Sequence, residues 1–275
     1  MTRQGKHPAE VAPAGPGSSY GLRLREAAVA WGVFVVLAAL AWVITIRQSS
    51  GMGIEAGTMG MALPPFLFVW VLMMAAMMFP SVAPVSIRWV RAIARRANAG
   101  QRGLRMTLFV SGYLLAWVSY GLLAFLALIA AERLVGSSQG AGRWLGAGVF
   151  VIAGLYQLTP LKNTCLRHCR SPLMQLMQYS SWKGRARDLL VGLHHGAYCV
   201  GCCWGLMVVL LALGFMNVAA MVGVTAVILL EKLWRHGKLL SILVGIALLA
   251  MAALVAIDPS LLPALQPGGI RGDMG

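Results

Sequence analysis

The chain has 275 residues, 59% of them hydrophobic and only 11% charged, with 23 Lys and Arg against 8 Asp and Glu. Soluble domains carry about 25% charged residues, so an ordinary soluble domain is excluded and an all-α, polytopic membrane bundle is expected. A formal charge of +15 could suit nucleic acid, but the basic residues gather in alternate loops, and no nucleic-acid binding is expected.

Seven apolar runs are long enough for spans, which take roughly 20 residues each. They lie near 28–46, 62–84, 107–130, 144–160, 188–213, 216–231 and 239–257. The loops on one side hold 19 Lys and Arg, including six in Arg88–Arg105 and six in Lys162–Arg187; the other side holds Arg47, Arg133, Arg143 and Arg271. The positive-inside rule then puts the N-terminus in the cytoplasm and the C-terminus outside. Residues 1–27, rich in Pro, Gly and Ser over the first twenty, are predicted to be a disordered cytoplasmic tail. They are not a signal peptide, because the apolar run begins too late. Residues 258–275 form a short external tail.

The first span is a plain apolar anchor. The second carries Met73-Met74-Ala75-Ala76-Met77-Met78, with Pro80 and Pro84 near its end. Met73 and Met77 are one helical turn apart, as are Met74 and Met78. Thioethers fill gaps in cores, and they also suit a soft ion such as Cu(I). The third span offers Ser111, Tyr113, Ser119 and Tyr120 for interhelical hydrogen bonds. The fourth has Gly146, Gly148 and Gly154 for close packing. Neither contains a catalytic constellation.

The stretch Leu161–Leu173 reads LKNTCLRHCRSPL. Cys165 and Cys169 are four residues apart, with His168 beside Cys169 and arginines flanking. Positive charge nearby favours the thiolate, which is the metal-binding form.

The strongest chemical signal is residues 188–215, where His194, His195, Cys199, Cys202 and Cys203 lie inside an apolar run. Metal-competent side chains at membrane depth are costly and mark functional sites. On a helix, His195, Cys199, Cys202 and Cys203 share one face about 100° wide, while His194 points elsewhere. At ~1.5 Å per residue, Cys199 lies ~17 Å beyond Asp188, near the expected bilayer midplane. Gly192 and Gly196 border this face and Gly201 and Gly205 the opposite one, so the helix is expected at the bundle centre. An odd count of five cysteines, all within or on the cytoplasmic side, argues against a disulfide framework. Glu231 ends the sixth span and is expected either to pair with Lys232 or Arg235 or to orient a ligand histidine.

The motifs MMAAMMFPSVAP, LKNTCLRHCRSPL, GLHHGAYCVGCCWGLM and EKLW, over roughly residues 60–240, resemble a bacterial family of predicted metal-binding integral membrane proteins. The matching positions are Met73, Met74, Met77, Met78, Pro80, Cys165, Cys169, His195, Gly196, Cys199, Cys202, Cys203, Trp204, Met207, Glu231 and Lys232. The resemblance implies a multi-pass protein of the bacterial cytoplasmic membrane.

These residues predict a soft-metal protein of metal transfer, transport or homeostasis. Cu(I) is the first expectation, and Zn(II) would also suit a Cys/His set. The ligands expected are Cys199, Cys202, Cys203 and His195, with Cys165 and Cys169 exchanging the ion at the cytoplasmic side and Met73 and Met77 assisting. His194, His168, Met74, Met78, Met207 and Glu231 are further candidates around that set. The partners implied are the bilayer and a metal chaperone or metalloenzyme. No P-loop or phosphorylatable Asp motif is present, which disfavours an ATP-driven pump. Two alternatives stay open: a thiol-disulfide oxidoreductase using the Cys199/Cys202 C-x-x-C pair, and a structural or assembly protein.

Overall fold

The computed structural model describes residues 16–49, 58, 60–93, 98–137, 140–171, 177–179, 181–182, 184, 186–214 and 217–258. Most of both predicted tails lies outside them. The described residues form helices and turns, with no strand. The helices are α1 (Pro16–Ser49), α2 (Leu63–Ile93), α3 (Ala99–Ser137), α4 (Ala141–Leu158), α5 (Pro160–Arg170), α6 (Arg187–Ala212), α7 (Val218–Leu233) and α8 (Gly237–Ile257).

Five helices, α1, α2, α3, α6 and α8, are long and apolar enough to cross a membrane, and the bent pair α4–α5 makes up to six. The sixth expected span, 216–231, corresponds to α7. Its 16 residues rise only ~24 Å, short of a hydrocarbon core of ~30 Å.

Three local features place the site. The first is the break between α4 and α5, which turns the chain by 63°. Pro160 opens α5, where its missing N–H costs nothing, and Thr159 caps the helix by accepting from the Lys162 backbone N–H at 3.3 Å. The turn lays α5 against α6 and α7.

The second is that α2 runs through both prolines to Ile93 instead of ending near residue 84. Ser81 and Ser86 donate their hydroxyls to the carbonyls of Met78 and Ala83, three residues back, at 2.8 and 3.0 Å. Such bonds satisfy groups near the interrupted helical ladder.

The third is the contact of α3 with α6, where the backbones nearly touch. A Cβ on Gly192 would lie 2.0 Å from the Phe109 carbonyl oxygen, and one on Gly112 would lie 2.0 Å from that of Leu189. Only glycine permits this approach. Because α6 packs on α3, α4, α5 and α7, the expectation of a central helix is met.

Candidate metal centre

The helical period of α6 puts His195, Cys199, Cys202, Cys203 and Met207 on its buried side, while His194 is only half-buried. The donor atoms of Cys199, Cys202 and Cys203 all lie within 4.8 Å of one another. Each of these cysteines is at most 2% exposed, and all five cysteines of the chain are free thiols. The Cys202 and Cys203 sulfurs are 3.4 Å apart, and the Cys202 thiol also donates to the Cys199 carbonyl at 3.2 Å.

One helix cannot surround an ion, and α5 supplies a further donor. The Cys169 sulfur lies 3.8 Å from that of Cys202. A metal–thiolate bond is about 2.3 Å, so two sulfurs sharing one ion can be at most about 4.6 Å apart. The Cys202–Cys203 and Cys169–Cys202 separations, 3.4 and 3.8 Å, fall inside that limit, and the donor set fits a soft ion.

Cys165 takes a different place. It is half-buried against Gly201, where a Cβ would meet its sulfur at 2.9 Å. The expected pair is thus divided, with Cys169 at the thiols and Cys165 packed on the α6 backbone.

Two polar groups grip Cys199. The Tyr113 hydroxyl of α3 lies 3.1 Å from its sulfur, and the Lys232 ammonium of α7 donates to it at 3.0 Å and to the Ser81 hydroxyl at 3.3 Å. Neither Tyr113 nor Lys232 stands out as a site residue in the sequence. Tyr113 is visible there only as an interhelical hydrogen bonder, and Lys232 only beside Glu231 and as a matching position of the EKLW motif.

Met73, Met74, Met77 and Met78 are fully buried. The last two lie about one turn before Ser81, which accepts from Lys232.

His195 is 3% exposed, with its ring between Phe109 and Tyr113 at centroid distances of 6.1 Å. It is not among the mutually close thiols. Among the described residues its Nδ1 has no hydrogen-bond partner, and a buried polar atom left so is costly.

Glu231 pairs with neither expected partner and orients no histidine. Its carboxylate accepts from Lys162 at 2.7 and 2.9 Å and from the Gln157 amide at 3.3 Å. The Ser241 hydroxyl donates to the Gln157 carbonyl at 3.1 Å. Lys162 and Glu231 are each 1% exposed. Successive residues on a helix diverge by about 100°, so Glu231 reaches α5 while Lys232 reaches the thiols.

His168 and His194 stand outside the thiols, joined by Tyr179 from the connection between α5 and α6. The Tyr179 hydroxyl lies 3.2 Å from His168 Nε2 and 2.8 Å from His194 Nδ1. Burial pushes the Tyr179 hydroxyl above its ordinary pKa.

Over residues 67–255 the chain matches the family described as PpoB2, copper chaperone. Comparison with curated proteins and with solved structures gives no match. The chain belongs to this copper chaperone family.

Proposed function

We propose that this member of a copper chaperone family is a multi-pass protein of the bacterial cytoplasmic membrane that holds Cu(I) as cargo. The ligands in this reading are Cys199, Cys202 and Cys203, with Cys169 reaching in from α5. The observation that carries it is the convergence of thiols from two helices, with the Cys202 sulfur 3.4 Å from that of Cys203 and 3.8 Å from that of Cys169. Thiolate donors select Cu(I) over harder ions.

Lys232 supplies a positive charge beside Cys199, which offsets the negative charge of a multi-thiolate Cu(I) site where burial makes charge expensive. Tyr113 fixes the same sulfur from the opposite helix. His195 Nδ1, buried without a partner, is a nitrogen donor available beside the thiols. In this reading the buried methionines of α2 serve as further soft donors that exchange with the thiols. Transfer between such donors needs no nucleotide, and the copper passes on to a metalloenzyme or another chaperone. The arrangement of basic loops supports a cytoplasmic N-terminus in this reading.

The test is copper content. The full chain purified in detergent is loaded with Cu(I), desalted and measured by elemental analysis beside a variant with Cys199, Cys202 and Cys203 changed to Ser. Copper retained by the native chain and lost by the variant is expected; equal retention overturns the reading.

A further inference from the structure

Several contacts fix how deep the thiols lie. Lys232 at the end of α7 reaches Cys199, Tyr156 near the end of α4 donates to the Gly201 carbonyl, and Gly237 at the start of α8 abuts the Glu231 carbonyl and Arg170. Lys162, Arg170, Glu231, Lys232 and Lys238 therefore gather at the level of Cys199–Cys202. From that level the charges at the far ends, Glu132 of α3 and Asp258 after α8, are ~28 and ~26 Å away along their helices, counting from Tyr113 and Ser241. That spacing is close to a whole hydrocarbon core of ~30 Å. The thiols thus have basic residues at their own level, and further basic residues lie outward on the same side, where Arg105 meets Asp188 and Arg187 lies over Trp89.

What lies just outside the thiols, on the basic side, is the cluster of His168, Tyr179 and His194. His194 is ~8 Å further out along α6 than Cys199. Tyr198 stacks on His168 with centroids 3.8 Å apart, and the rings of His168 and His195 are 6.4 Å apart. Burial is graded. His194, His168 and Cys169 are half-buried, while His195 and the three thiols are buried. His168 adjoins Cys169 in the chain, and Cys169 touches Cys202. Imidazole nitrogens therefore lead to the thiols, with the partnerless Nδ1 of His195 alongside.

We infer that His168 and His194, bridged by Tyr179, form the port through which Cu(I) reaches the thiols from the basic side of the bundle. Neutral imidazole is a competent ligand for copper, and the Tyr179 hydroxyl occupies the space between the two nitrogens. When the Tyr179 hydroxyl gives up these contacts the imidazoles hold the ion, which then passes to Cys169 and Cys202 as their thiol protons go to the imidazole nitrogens it leaves. No electron is transferred, and the copper stays Cu(I). Entry and exit share one side, as suits handover to a partner better than passage across.

This inference rests on the thiol site proposed above, so its test separates rate from capacity. The full chain in detergent is mixed with Cu(I) bicinchoninate, and transfer is followed as the chelator colour fades. Four forms are compared: the native chain, His168→Ala/His194→Ala, His168→Gln/His194→Gln, and Tyr179→Phe. Both histidine variants should lose the fast phase of uptake yet reach the native end point, and Tyr179→Phe should load at least as fast as the native chain. A fast phase surviving in the glutamine variant overturns the port. So does a lowered end point in that variant with helical content unchanged, because the imidazoles would then belong to the resting site. Failure of the thiol site itself shows differently, as uptake by the native chain that does not depend on Cys199, Cys202 and Cys203.

Discussion

The ammonium of Lys232 lies 3.0 Å from the sulfur of Cys199, bridging two helices 33 residues apart in the chain. A thiolate gains its partner without water, and the bundle gains a fixed positive charge beside its softest donors. Lys232→Met should weaken Cu(I) retention, and by analogy with groups that hold metal ligands the loss should be about 10–100-fold. Lys232→Arg keeps the charge and should recover most of it. Competition with a chromophoric Cu(I) chelator measures both.

Tyr113 holds the same sulfur from the opposite side. Tyr113→Phe removes one hydrogen bond and leaves the ring against His195, so the cost should be about 0.5–1.5 kcal/mol of stability. Thermal unfolding of the apo chain in detergent reads it. Helical content should not change.

The Lys162–Glu231 pair is a stronger constraint on the fold. Both residues are 1% exposed, and removing one leaves the other charge buried alone. Glu231→Gln or Lys162→Met should each cost about 3–5 kcal/mol, and the double change less than the sum of the two. A double-mutant cycle by thermal unfolding checks this. Because the pair also sets α5 against α7, the single variants should weaken access of Cys169 to Cys202, read as faster alkylation of Cys169.

Contact between α3 and α6 tolerates no side chain at Gly192. Gly192→Ala forces the new methyl into the Phe109 carbonyl, 2.0 Å away, and should cost about 1–3 kcal/mol or more as the helices separate. The same shift pulls Tyr113 from Cys199, so copper retention should fall along with the unfolding temperature.

The face of α6 was legible in the sequence because a 3.6-residue period alone decides which of its side chains point together. Gly192 and Gly196, which let α3 approach, were legible for the same reason, whereas Gly112 on α3 was not. Partners across helices were not. Glu231 has cations one and four residues away, yet it meets Lys162, 69 residues distant, because the bend at Pro160 swings α5 beneath it. A proline marks such a bend, but its direction is set by packing. The division of Cys165 from Cys169 follows from that direction and has no signature of its own.

X-ray absorption at the copper edge of the Cu(I)-loaded native chain tests the central claim most directly. Sulfur scatterers at about 2.3 Å should dominate, and their number should fall when Cys202 is changed to Ser. A first shell made only of nitrogen or oxygen, unchanged by that substitution, would contradict the account.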